Sequence, residues 1–103
     1  MALTSVEFHI LLAMFDGPIH GYAIMRDVEE LTSGSLRIGP GTLYATIKRL
    51  VTAQLIEECE ADTDRRRCYR LTRKGRAAAA GDARRLSALV RTARKRGLLP
   101  STS

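Results

Sequence analysis

Cysteine is scarce in this chain, with only Cys59 and Cys68 among 103 residues. A structural zinc site normally takes four ligands, and neither His9 nor His20 stands at metal-ligand spacing to the pair. No metal and no cofactor are expected. Long apolar runs are missing too. The longest, Ile10 to Phe15, falls far short of the roughly 20 residues that span a bilayer. No basic segment precedes it as in a secretory signal. The sequence therefore points to a cytoplasmic protein with no membrane role. Internal repeats and low-complexity linkers are absent, and only "LLPSTS" at the end reads as a loose tail. No Ser-His-Asp, Cys-His or paired-carboxylate arrangement stands out, so an enzyme is not expected.

What is present describes a small folded domain. Apolar residues make up 45% and charged residues 27%, an ordinary balance for a soluble globular chain. At this length the core is modest and would gain from a partner subunit. The net charge of +6 is unevenly spread. Residues 1–64 carry four Lys/Arg against ten Asp/Glu, a balance of −6, whereas residues 65–103 carry thirteen against one, a balance of +12. Such polarity is either the electrostatic footprint for a polyanion or the solvated face of a basic helix. Fourteen of the seventeen basic residues are arginine, the better fork for phosphate and guanine.

Helical signals come first along the chain. Thr4-Ser5-Val6-Glu7 fits a capping box, and Val6, Ile10, Leu11 and Met14 then repeat at helical spacing until Asp16-Gly17-Pro18. A second helix begins near Gly21 with Ile24, Val28 and Leu31 on its apolar face and Gly34 as its stop. The third opens on Gly39-Pro40-Gly41, with Pro40 suited to the first turn. Leu43, Ile47, Leu50 and Val51 form its expected buried stripe. Beyond Gln54 the period changes. Leu55–Glu60 and Arg67–Leu71 read as two β-like runs around a charged tip, with Ile56, Tyr69 and Leu71 toward the core. Thr72 then caps a long last helix to about Arg96. Ala79, Ala83, Leu86, Leu89, Val90 and Ala93 make an apolar seam along it, short of a full coiled coil. Gly81 inside that helix marks either a close crossing or a weak spot.

Three helices followed by a hairpin is the order of a winged helix-turn-helix. The expected fold is mostly α with a small β-hairpin, plus a C-terminal dimerisation helix. Residues 1–72 would be the DNA-binding domain, 73–97 the dimerisation helix and 98–103 a flexible tail. At about 100° per residue, the third helix turns Gly41, Thr42, Ala45, Lys48, Arg49 and Thr52 away from its buried stripe, with Tyr44 at the flank. Small or hydroxylated residues in the first turn and cations further on suit a helix whose start enters a major groove. A glycine-rich helix start also suits a bound phosphate. "GPGTLY", however, lacks the Gly-Lys-Ser/Thr end of a nucleotide-binding loop, and no strand is read before it.

These residues carry a family resemblance. "GPIHGYAI", "GPGTLYATIKRL", "LIE" and "DRRRCYRLTRKGR", in this order and spacing, resemble the PadR family of transcriptional regulators from about Leu3 to Arg96. The length resembles the branch with one C-terminal helix. The resemblance implies a homodimeric repressor on double-stranded DNA, with an inverted-repeat operator. It also implies that Pro40 to Arg49 is the recognition helix, with Gly41, Thr42, Tyr44 and Ala45 near the DNA and Lys48 on a phosphate. Arg65, Arg66 and Arg67 would be the wing. Family members are often released by small-molecule inducers, some flat and aromatic, and this chain has no Trp to stack on one. It departs from the family at Ala45, where Pro is common, at Gln54, where Gly is common, and at Cys68, where the wing often has an aromatic.

Several residues have plainer readings. His20 reads as a helix-start hydrogen-bonding residue, Tyr22 and Tyr69 as core-edge aromatics, and Arg84, Arg85, Arg91, Arg94, Lys95 and Arg96 as a solvated helix face. Cys59 and Cys68 would face each other across two strands if the hairpin turns at Thr63-Asp64. The alternative function is a winged-helix protein-interaction module that does not touch DNA.

Overall fold

The computed structural model describes residues 3–59 and 67–100. Helix α1 (Ser5–Ala13) opens on the expected capping box. The Thr4 hydroxyl accepts from the Glu7 N–H at 3.1 Å, and the Glu7 carboxylate accepts from the Thr4 N–H at 2.8 Å. A two-residue strand β1 (Ile19–His20) leads directly into α2 (Gly21–Leu31), and α3 (Pro40–Thr52) follows. Strands β2 (Ile56–Cys59) and β3 (Cys68–Leu71) then precede α4 (Arg73–Lys95).

The sheet is antiparallel in the order β1-β3-β2. Sequence reading gives the hairpin but misses β1, because two residues cannot display an alternating pattern. Register sorts the side chains. Ile56 pairs with Leu71, and Glu58 and Ile19 flank Tyr69, so Ile56, Leu71 and Tyr69 share the face that enters the core. Glu57 and Arg70 pair on the other face with a 2.8 Å ion pair.

The core is a single cluster. Ile10 and Leu11 of α1, with Met14 at its C-cap, meet Ile24 and Val28 of α2, Leu43, Ile47 and Leu50 of α3, and the inner face of the sheet. Two expected core residues are outside it. Val51 is exposed because the buried stripe of α3 runs 43-46-47-50, with Thr46 in the place expected of an apolar residue. Burial of Thr46 costs little, since its hydroxyl donates to the Thr42 carbonyl at 2.7 Å. Leu31 is also exposed. It is the last residue of α2, at the end remote from β1, and the chain turns away through Ser33 (φ +51°) and Gly34 (φ +81°).

The exit from α3 shows how the missing glycine is accommodated. Gln54 itself takes the left-handed conformation, at φ +63°. Its N–H donates to the Val51 carbonyl and the Leu55 N–H to the Leu50 carbonyl, both at 2.9 Å, so the turn keeps the hydrogen bonds of a glycine-type helix end. A β-carbon in this region costs about 1–2 kcal/mol, partly offset because glycine has roughly 0.5–1 kcal/mol more chain entropy to lose. Gln54→Gly should therefore raise stability by up to about 1 kcal/mol, read as a melting temperature a few degrees higher. An unchanged or lower value would contradict this account of the turn.

Helix α4 is capped as expected, with the Thr72 hydroxyl accepting from the Gly75 N–H at 3.0 Å. Its first turns belong to the winged domain. Gly75, Ala79 and Asp82 are buried, on the side that faces α1 and β3. Ala79, expected in the dimer seam, is part of this core and is unavailable to a partner. Beyond Asp82 the helix runs past the domain. At 1.5 Å per residue its 23 residues are about 35 Å long, within a molecule whose longest extent is 50 Å.

Candidate nucleic-acid interface

Burial of Leu43, Thr46, Ile47 and Leu50 fixes what α3 shows to solvent. Pro40, Gly41, Thr42, Tyr44, Ala45, Lys48 and Arg49 are all exposed. The helix start is bare: Gly39 is the N-cap and offers no side chain to the first-turn N–H groups. A β-carbon at Gly39 or Gly41 would meet nothing within 4 Å, and neither has a positive φ. The protein's own packing and backbone angles therefore do not require glycine at either position. Close approach of another molecule's backbone would.

Tyr44 is held in place. Its ring lies over Gly21, where an added β-carbon would sit 3.1 Å from the phenol oxygen and 3.2 Å from Cε1. The two aromatic-glycine motifs, distant in sequence, thus meet in space. Tyr22 is the exception to its core-edge reading: it is 66% exposed, whereas Tyr69 is buried. Arg49 is steered by neighbours. Its Nη2 donates to the Thr46 hydroxyl at 3.3 Å, and its Nε stands 4.0 Å from Glu7. Glu7 therefore serves both the cap of α1 and the posture of Arg49. Only the first role shows in the sequence, because the second depends on how α1 crosses α3. Lys48 makes no ion pair among the described residues.

The wing begins beside this helix. Arg67 is exposed, and its carbonyl accepts from the Gly21 N–H at 3.3 Å, tying the base of the wing to the start of α2. Arg65 and Arg66 lie outside the described residues. The charge polarity of the sequence is partly cancelled in space. The hairpin folds acidic β2 onto basic β3, so Arg70 meets Glu57 and Arg67 stands 3.9 Å from Glu58. Such exposed pairs are weak, about 0–1 kcal/mol each, and an arginine held this way can still exchange its partner for a phosphate.

On α4, Ala83, Leu89 and Val90 are exposed, while Leu86 and Ala93 are half-buried. Leu98 and Leu99 beyond it are exposed as well. Arg84, Arg85, Arg91, Arg94 and Lys95 are exposed along that helix, as is Arg96 at its C-cap. No described helix is long and apolar enough to cross a membrane.

Comparison with known proteins matches the model of the PadR-like family of transcriptional regulators over residues 10–81. The transcriptional regulator Rv3488 of Mycobacterium tuberculosis is 39% identical over 89 residues, covering 84% of this chain and 80% of the relative. A 37.1 kDa protein of transposon Tn4556 from Streptomyces fradiae is 38% identical over 76 residues, 74% of this chain but only 21% of that protein. Among solved structures, a transcriptional regulator from Clostridium thermocellum superposes with a TM-score of 0.75 at 25% identity, covering 87% of this chain and 90% of the other. Bacillus subtilis PadR, solved in complex with operator DNA, shares the fold with a TM-score of 0.65 at 19% identity, over 75% of this chain and 45% of that one. The helix order, the paired Gly21–Tyr44 motifs and the wing that returns into α4 have the same explanation: this chain belongs to the PadR-like family of transcriptional regulators.

Proposed function

We propose that the protein binds double-stranded DNA sequence-specifically, as a homodimeric repressor on an inverted-repeat operator in the cytoplasm. The observation that carries the reading is the exposed face of α3, whose two glycines at the helix start face open space. Such a start can bring backbone N–H groups against a DNA phosphate while Thr42, Ala45 and Arg49 reach base edges. Arg65, Arg66 and Arg67 would contact phosphates or a minor groove from the wing. The operator-bound PadR relative supports DNA as the partner. Selection from a random duplex library by the purified protein should enrich a motif with two-fold symmetry. Failure to enrich any motif would favour the protein-interaction reading.

The dimer is proposed from α4. Leu89 is 55% exposed and Val90 38%, on a helix that overhangs its own domain. Residues 73–97 would then join two winged domains of residues 1–72, with 98–103 as a tail, although the first turns of α4 also serve the winged core. Sedimentation at micromolar concentration should give about twice the 11.4 kDa chain mass. Replacing Leu89 and Val90 together with Glu should halve the observed mass while leaving the helical content intact. A wild-type protein that sediments as a monomer would contradict the proposal. A small-molecule inducer rests on the family resemblance alone.

A further inference from the structure

One row of side chains crosses all three strands on the face opposite the core. Cys59 of β2 is in register with Cys68 of β3, and Cys68 with His20 of β1. The two cysteines are disulfide-bonded, with their Cα atoms 5.1 Å apart. That separation lies inside the range a disulfide bridges. Cys68, on the central strand, is buried, whereas Cys59 is partly open to solvent. The Nδ1 atom of His20 is buried without a hydrogen-bond partner among the described residues. Neither the hydrophobic core nor the exposed face of α3 uses this row. It stands where the wing leaves the sheet.

A DNA-binding regulator works in a compartment where thiols are kept reduced and the disulfides that do form are transient, catalytic or redox-sensing. We propose that Cys59 and Cys68 form a reversible dithiol–disulfide pair, oxidised by a hydroperoxide, that clamps the base of the wing and strengthens DNA binding. The coupling to DNA rests on the function proposed above. The dithiol chemistry does not.

The more accessible thiolate, Cys59, attacks a peroxide oxygen. The S–O bond forms, the O–O bond breaks, and the other oxygen leaves as an alcohol or water once protonated. Cys59 is then a sulfenic acid. The Cys68 sulfur attacks that sulfur; the S–S bond forms, the S–O bond breaks, and water leaves with the Cys68 proton. Two electrons pass from the sulfurs to the peroxide, and attack by a cellular dithiol on the disulfide restores both thiols.

The mechanical consequence follows from connectivity. The Gly21 N–H already holds the Arg67 carbonyl, which anchors the returning side of the wing. The disulfide anchors the outgoing side to the same point and closes a loop between residues nine apart in sequence. Arg65, Arg66 and Arg67 lie between the two cysteines in sequence, so the bridge ties together both ends of the segment that carries them.

The test compares the full chain after stoichiometric hydrogen peroxide, the same chain after dithiothreitol, and the double variant Cys59→Ser/Cys68→Ser. Peroxide should remove two hydrogens from the intact mass, block alkylation of both thiols and create no cross-linked chains. The oxidised form should melt roughly 10 °C above the reduced form and bind a selected duplex about three- to tenfold more tightly. The double variant should behave as the reduced protein in either solution. Free thiols after peroxide, oxidation to sulfinic acid, or a disulfide between two chains would overturn the dithiol site. Equal affinities of fully oxidised and fully reduced protein would overturn the coupling. If no form binds any duplex, the DNA reading fails and the coupling with it, while mass and melting temperature still decide the dithiol site.

Discussion

Replacing Gly75 with alanine should lower the melting temperature by about 12–24 °C. An added β-carbon would overlap the Leu55 carbonyl oxygen outright and lie 2.9 Å from its carbon and 3.3 Å from the Leu55 Cα. All three are backbone atoms, so no side-chain rotation relieves the overlap. The same Leu55 carbonyl accepts the Thr72 N–H at 3.1 Å, and the Thr72 hydroxyl donates to the Gln54 carbonyl at 2.6 Å. Lys74 adds a bond to the Ala53 carbonyl at 3.0 Å. This knot joins the end of α3 to the start of α4, so a shift at Gly75 moves both helices. Overpacking costs about 1–3 kcal/mol where side chains can adjust, and about 3 kcal/mol is the reasonable minimum against backbone. For a domain of this size each kcal/mol is worth roughly 4–8 °C.

Gly81, on the same helix, supplies the control. A β-carbon there would come no closer than 3.8 Å to Arg84, which decides against a close crossing among the described residues. Gly81→Ala should therefore stabilise the helix by up to about 1 kcal/mol. Thermal denaturation of the two variants should move in opposite directions. A mild effect at Gly75, comparable with that at Gly81, would contradict the packing described.

The second large effect separates the wing from α3 in DNA binding. Changing Arg65, Arg66 and Arg67 to Ala should weaken binding to selected and random duplexes alike. Each lost phosphate contact reduces the slope of log affinity against log salt by about 0.9, so the triple variant should lose up to about 2.7 of slope. Ala45→Glu should act differently, because Ala45 is on the open face of α3 and a carboxylate there opposes base contact without disturbing the core. Preference for the selected duplex should fall by about 1–3 kcal/mol per lost base contact, roughly five- to 150-fold. Arg49→Ala belongs with Ala45→Glu if its guanidinium leaves Glu7 for a base. Loss of sequence preference in the wing variant, with its salt slope unchanged, would reverse the assignment.

Much of this architecture is legible in the residues because local chemistry and tertiary packing agree. The capping box at Thr4 and the Thr72 cap of α4 are side-chain-to-backbone bonds within four residues, and Pro40 fits the first turn of α3 by its fixed φ, so a sequence displays all three directly. The inner face of the hairpin follows from alternation alone. What sequence reading misses depends on crossings between distant segments. Strand β1 exists only because β3 passes beside it, and the contact of Tyr44 with Gly21 requires α2 and α3 to be in place. Thr46 is buried because its own helix satisfies its hydroxyl, a local bond that apolar-stripe counting overlooks. Ala79 fits the seam by spacing but is claimed by the core, since periodicity identifies a helix face and not the neighbour that covers it. The opposition of Glu57 and Glu58 to Arg70 and Arg67 likewise appears only once β2 folds onto β3. That pairing sets the acidic strand against the basic residues that the linear charge count assigns to the other half of the chain.

The most direct measurement is a titration of the wild-type protein against its selected duplex and a scrambled duplex of equal composition, across a salt series. Binding to the selected duplex should be tighter by roughly a thousandfold or more at physiological salt, with both affinities falling steeply as salt rises. Equal affinity for the two duplexes, or no binding to either at low salt, would contradict it.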